Sequence, residues 1–341
     1  MKSRINNIYN FFIILIFLAG IFALAFINYH KKSKEREYFN ENILTLDIAY
    51  HSSIDKYRLL SRYIFNESIN DQLVVSLFFF FFNSTGDTKK LYIGLLYKEL
   101  YPLYLRLKVE GIRQLHFTTK NNESYIRFHN PNKYGDDLSK IRETIRVAND
   151  ENKIVTNFET GRVMSGFRNV FPINLGNEHL GSVELSISTK MMIESISDLE
   201  KRREYSFILN KDVVFSKLFE SQKFLYHDSV LNSDFVTEDI NSFLPDSPKE
   251  LSDITKKINE KLHNNKKLRK AMNKGEKYGV FVKLDNIYYD VTLIPMLGVA
   301  EKVEGYLIAY QKSIHIPIMM TLELYAYFLI ILGTIILILM I

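Results

Sequence analysis

The chain has 341 residues, with 44 Lys and Arg against 39 Asp and Glu, and neither Cys nor Trp. A hydrophobic content of 47% with 24% charged residues supports packed cores and excludes a disordered tail protein. Without cysteine there are no disulfides, thiol nucleophiles or Cys-ligated metal sites, and a net charge of +5, mixed along the chain, lacks the dense basic stripe that nucleic acid requires.

After a short N-terminus (1–10), Phe11 to Asn28 reads FFIILIFLAGIFALAFIN without a charge. With a rise of about 1.5 Å per residue, this is roughly long enough to cross a hydrocarbon core of about 30 Å. A cleaved signal peptide would show a shorter apolar region and a small-x-small site. The run into Asn-Tyr-His-Lys-Lys instead favours an uncleaved membrane helix over 11–29.

Residues 30–75 contain neither Gly nor Pro and place Leu44, Ile48, His51, Ile54, Leu59 and Tyr63 at helical spacing. This predicts a long helix leaving the membrane, with a stripe suited to pairing with a second copy or to packing the chain's own domains. Leu73 to Phe82 is too short to span a bilayer and is expected as a buried helix. A loop at 83–87 and a further helix over 91–108, with Pro102 inside it, follow.

At Gly111 the period becomes two. IRQLHFTT (112–119) and SYIRFH (124–129) form a hairpin pattern around 120–123. Asp136-Asp137 is expected to open a helix over 138–150, with carboxylates at its positive end. Strands are predicted at 165–174 and 180–189, completing an α+β unit over 76–190. A connecting helix (190–203) leads to a second unit, 191–318. There YSFILNKDVVFS suggests a hairpin turning at Asn210-Lys-Asp212, followed by a polar stretch to Pro248 and a helix over 250–273. Strands are expected at 278–284, 286–296 and 304–313.

A second apolar helix occupies 322–341, with Tyr325 and Tyr327 at interfacial positions. A free carboxylate inside a bilayer is costly, so the sequence is expected to be the front part of a longer protein, with a tail-anchored protein as the alternative. Lys2 and Arg4 precede the first span, and Lys31, Lys32, Lys34 and Arg36 follow it. By the positive-inside count alone, this places the middle of the chain in the cytoplasm.

Three stretches, GIRQLHFTTKNNESYIRFHNPNKYGDDLSKIRETI (111–145), NFETGRVMSGFRNVFPI (157–173) and HLGSVELSIST (179–189), resemble the type-3 double-Cache sensory domains of bacterial transmembrane receptors. The resemblance is densest over 111–190 and rests on architecture over 191–315. It implies a long N-terminal helix followed by two PAS-like Cache units of antiparallel sheet and flanking helices, bracketed by two transmembrane helices. It also implies a two-pass inner-membrane protein with residues 31–320 outside, against the Lys/Arg count. A cytoplasmic histidine kinase, diguanylate cyclase or chemotaxis region is the implied output.

Alternation places Tyr125, Arg127 and His129 on one face of the first hairpin, with His116 on the partner strand and Arg168 on a third. Arg127 and Arg168 suit an anionic metabolite, oriented by Tyr125, His116 and His129. Equally, this face is the solvent side of an ordinary sheet, with Ile126 and Phe128 in the core. Glu159, Arg162 and Glu184 are expected in structural ion pairs. Neither HExxH, a glycine-rich phosphate loop nor GxSxG occurs, so no metal, cofactor or catalytic role is assigned to the region, and any enzymatic activity is expected in a C-terminal module. The resulting expectation is a receptor for a small molecule, acting as a homodimer. The alternative is a membrane-anchored binding or structural protein without an output module.

Overall fold

The computed structural model describes residues 2–162, 164–238 and 250–340. Part of the polar stretch expected before Pro248 therefore lies outside the described residues. Helix α1 (Lys2–Ile64) runs unbroken and loosens into a π-turn at Phe65–Ile69. The expected rod to residue 75 thus ends early, because Asp71 starts a new helix. Its carboxylate accepts from the Leu73 amide at 2.8 Å and caps α2 (Gln72–Phe82). Most of the stripe on α1 faces away from the body: Leu44, Ile48, Leu59 and Tyr63 are exposed, whereas Ile54 packs against the core beside the inward face of Leu46, Ala49, Tyr50 and Tyr57.

Helix α3 (Gly86–Val109) returns antiparallel to α2 and passes Pro102 without ending. The first sheet joins β1 (Ile112–Thr119), β2 (Ser124–Arg127), β3 (Val155–Thr160), β4 (Ser165–Leu175) and β5 (Glu178–Ile187) in the antiparallel order β2-β1-β5-β4-β3. Leu115, Phe117, Phe171, Val183 and Leu185 pack one face against Phe78, Leu100 and Leu107 of the helices. Its other face carries Gln114, His116, Arg168 and Glu184 and is roofed by residues 128–142 and α4 (Glu143–Asp150). This polar face is therefore enclosed and is not the solvent side.

Helix α4 begins later than expected. Asp136 pairs with Arg127, and Asp137 Oδ1 accepts from the Ser139 amide at 2.9 Å, so neither carboxylate opens the helix. Strand β3, absent from the predicted elements, forms the sheet edge.

Helix α5 (Thr189–Leu199) leads to the second sheet. Its strands are β6 (Glu204–Asn210), β7 (Tyr226–Asp228), β8 (Phe235–Glu238), β9 (Tyr278–Leu284), β10 (Ile287–Leu297) and β11 (Val303–Lys312), ordered β7-β8-β6-β11-β10-β9. Asn210 makes no hairpin. Its side chain accepts from the Val213 amide at 3.1 Å and caps α6 (Lys211–Lys217), an outcome open to Asn at any turn-like position. The helix expected over 250–273 is split into α7 (Asp253–Leu262) and α8 (Lys266–Asn273), because Asn265 caps the second piece. Asp285 and Asn286, at φ 44° and 64°, make the tight β9–β10 turn.

Helix α9 (His315–Met340) follows directly from β11 and runs antiparallel beside α1. Tyr38 stacks on His315 at 4.3 Å between ring centroids, and its hydroxyl bonds to the buried carboxylate of Asp290. Both chain ends thus leave the same end of the second sheet.

Candidate functional site

A cavity of about 690 Å³ opens on the polar side of the first sheet. Tyr97, Tyr101 and Lys108 of α3 form one wall, residues 127–138 a second, and the β3–β4 connection a third. Phe219 enters from the second unit.

Behind this wall lies a buried charge network. Glu184 accepts from Arg168 Nη1 at 2.6 Å and from Arg142 Nη2. Arg142 Nε donates to Glu159 Oε2 at 2.8 Å, and Glu159 also accepts from the Thr144 amide and hydroxyl at 3.1 and 2.7 Å. Burial alone would raise the Glu184 carboxyl, but the Arg142 and Arg168 guanidiniums reverse this and hold it well below the usual range. The same balance lowers Glu159. Two guanidiniums are therefore matched by two carboxylates, and the expected structural pairing of Glu159 and Glu184 is present. Arg162 departs from that expectation, lying over the Phe219 ring at 4.8 Å, with Lys133 over the same ring at 4.5 Å.

Four of the five residues singled out in the sequence line the cavity: His116, Arg127, His129 and Arg168. Arg127 is already engaged, donating to both oxygens of Asp136 at 2.7 and 2.9 Å and to the Lys133 carbonyl at 2.7 Å. Arg168 is held by Glu184, by Gln114 Oε1 at 2.9 Å and by the Met164 carbonyl at 3.1 Å. His116 Nε2 bonds Ser124 Oγ at 2.9 Å. Burial, then the positive field of Arg127, pushes the His116 imidazole well below its ordinary value. His129 is solvent-exposed at the cavity mouth, where partial desolvation by the surrounding walls, with Arg113 and Arg127 beside it, lowers it to about 4. Both rings are neutral near pH 7.

Tyr125 is not on the wall. It stacks against Phe81 and Phe78, at 4.0 and 5.0 Å between centroids, in the apolar core. The expected shared face with Arg127 fails because the pairing skips a residue: Ile126 opposes Phe117, but Ser124 opposes Thr118. Tyr125 is the extra residue of a β-bulge, which reverses the phase of alternation.

A second irregularity, between Ile112 and Gln114, brings Arg113 to the cavity although simple alternation aligns it with Leu115 and Phe117. Arg113 is poorly satisfied. Its contacts are Met164 Sδ at 3.2 Å and the Ser165 carbonyl at 3.4 Å, and its buried Nε has no hydrogen-bond partner. Sequence reasoning missed Arg113 and Arg142. For Arg113 the available signal was a charge at an inward-phase position, which itself indicates a bulge. Among the described residues no group of His, Asp and Glu is placed to hold a metal ion.

Residues 103–199, which contain most of the cavity wall, match the dCache_3 family, described as a double sensory domain of two-component sensor kinase. The double-Cache resemblance read from the sequence is borne out, and this part of the chain is a sensory domain of that kind. Weaker likenesses extend further. A domain of a sensory box/GGDEF family protein from Vibrio parahaemolyticus is 11% identical with a TM-score of 0.43, covering 82% of this chain and 97% of that one. The sensor domain of the V. cholerae histidine kinase DctB is 12% identical with a TM-score of 0.41, covering 83% and 100%. The ligand-binding domain of the Campylobacter jejuni chemoreceptor Tlp3, in complex with 4-methylisoleucine, is 10% identical with a TM-score of 0.41, covering 81% and 91%. No curated protein matches the chain.

Proposed function

We propose that the chain is the sensory part of a transmembrane receptor and binds a small anionic molecule in the cavity of its first unit. In this reading α1 and α9 cross the inner membrane and residues 31–320 lie outside. Occupancy of the cavity biases how the second unit and α9 sit against α1, and a cytoplasmic module reads that bias. A ligand shifts such an equilibrium only through different affinities for the two arrangements. The exposed stripe of Leu44, Ile48, Leu59 and Tyr63 is the surface on which two copies would pair.

The observation that carries the ligand class is the unbalanced charge of the wall. Lys108, Arg113, Lys133 and Arg162 line the cavity without an ion-pair partner among the described residues. The one carboxylate on the wall, Asp136, is engaged by Arg127. An incoming anion meets donors left unmatched by the protein, whereas an incoming ammonium finds no free carboxylate. Tyr97, Tyr101 and Phe128 supply an apolar side, and neutral His116 and His129 with Arg127 and Arg168 complete the wall.

Thermal shift of the full chain against mono- and dicarboxylates and against amines tests this, since binding to the native state raises apparent stability. Acids are expected to raise the melting temperature of the parent but not of Arg113→Ala. Stabilisation by amines alone, or by acids equally in Arg113→Ala, would overturn it.

A further inference from the structure

The end of the second sheet from which α9 departs carries a basic rim. Hydrogen bonding fixes its level. Lys312 pairs with Tyr289, the Ser313 amide donates to the Tyr288 carbonyl at 2.8 Å, and Tyr288 pairs with Lys283. Lys261, at the end of α7, donates to the Lys283 carbonyl at 2.6 Å. On the other side of α9's exit, Glu204 pairs with Tyr310 at the start of β6, placing Lys201 at the same end.

Lys201, Lys257, Lys261, Lys283 and Lys312 are exposed and have no carboxylate partner among the described residues. Of the nearby acids, Glu200 is engaged by Arg202, and Glu204 accepts from Ser252 and Thr255 at the start of α7. Glu250 and Asp253 share Lys256, and Asp285, Glu260 and, on α1, Glu35 remain, still fewer than the five lysines with Lys32 and Arg36. Three exposed isoleucines share the rim: Ile254, Ile287 and Ile314, at 48%, 37% and 70% exposure. Lysines interleaved with single apolar side chains are the composition of a surface that rests on lipid headgroups.

We infer that this rim docks the second unit on an anionic bilayer surface. The inference rests on the proposal that α1 and α9 span the membrane. From Ser313 to Glu323 α9 rises about 15 Å, and a headgroup layer of about 6 Å together with a screening length of about 8 Å nearly closes that interval. The attraction is electrostatic and acts across about one screening length, and the isoleucines do not enter the hydrocarbon. It also gives a role to Lys32 and Arg36, whose position after the first apolar stretch runs against the positive-inside count. They stand between the rim and the bilayer and add to the same attraction.

The absence of cysteine makes the test clean. Full-length chain is placed in nanodiscs of phosphatidylcholine alone or with phosphatidylglycerol, carrying a fluorophore on Ile287→Cys, and quenching by headgroup-nitroxide lipid is measured. Quenching is expected to be at least about twofold greater in the anionic discs, and to fall to the neutral-disc level in high salt or when the five lysines are changed to Gln. Equal quenching in both lipids, or quenching indifferent to salt and to the lysines, would overturn the inference. Salt-sensitive capture of an acidic protein by the rim, with no lipid dependence, would overturn it in favour of a protein partner. A second fluorophore, on Phe17→Cys, is expected to be quenched by acyl-chain nitroxides in both discs. Its failure would remove the spanning proposal and the rim contact together, whereas success there with lipid-indifferent Ile287→Cys removes the rim contact alone.

Discussion

Lys31 on α1 donates to both carboxylate oxygens of Glu323 on α9, at 2.9 and 3.1 Å. The same number of residues away along each helix, Gly20 lies against Thr334, where a built Cβ would come within 3.9 Å of the threonine methyl. The two contacts define one antiparallel register, which Tyr38 and His315 continue toward the sheet. Mild oxidation of the double variant Gly20→Cys, Thr334→Cys is therefore expected to give an intrachain disulfide, since the Cβ position of residue 20 lies 3.9 Å from the γ-carbon of Thr334, where a cysteine sulfur would stand. Gel mobility of the oxidised and reduced chain reads it. Efficient cross-linking of Gly20→Cys with Ile338→Cys instead would show a different register.

Removing Glu184 leaves two buried guanidiniums facing Glu159 alone. Glu184→Gln is expected to cost about 3–5 kcal/mol of stability, the usual penalty for breaking a buried charge network from one side. Chemical denaturation of the variant and parent measures it, and a loss under about 1 kcal/mol would contradict the network's assigned role.

Acid should destabilise the first unit in two stages. His116 and His129 have folded-state values depressed below the unfolded value of about 6.5, so the unfolded chain takes up protons first. Their contribution is complete above about 6.5 and is lost as pH falls toward about 4 for His129 and lower for His116. Glu159 and Glu184 are likewise depressed, and their contribution declines once pH drops below about 4.3. In a melting series across pH, His116→Gln with His129→Gln should flatten the first stage and leave the second. An unchanged profile would count against imidazoles held neutral by the fold.

Tyr125 offers an opposite sign. Its hydroxyl is buried among phenylalanines with no hydrogen-bond partner, so Tyr125→Phe removes an unsatisfied donor and keeps the ring. Denaturation should show a gain of about 1 kcal/mol. A loss of similar size would mean that the hydroxyl has a partner.

Much of the architecture was legible from periodicity and length: the long first helix, the short phenylalanine-rich helix, the first hairpin, and the three long strands before α9. The errors lie where one residue changes the phase or a small polar side chain chooses between a turn and a cap. Bulges carried Tyr125 out of the expected set and Arg113 into it, and a bulge leaves almost no mark in composition. Asn210 and Asn265 both became helix caps, a choice decided by the backbone beyond them. Four of the expected site residues did reach the cavity, but Arg127 and Arg168 arrive there already paired. Their partners, Asp136 and Glu184, are separated from them in sequence and meet them only through the roof and the neighbouring strand.

Phe219 crosses from the second unit to sit between Lys133 and Arg162, two of the cations left open on the cavity wall. In the reading proposed above, an anionic ligand reaches for the same two side chains that lie over the ring. If a bound anion loosens the ring, reciprocity of linked equilibria requires that weakening Phe219's hold strengthens the ligand's by the same factor. A chain with Phe219→Ala would then be a more sensitive detector and a poorer reporter, its affinity raised by the same change that disconnects the cavity from the unit leading to the membrane.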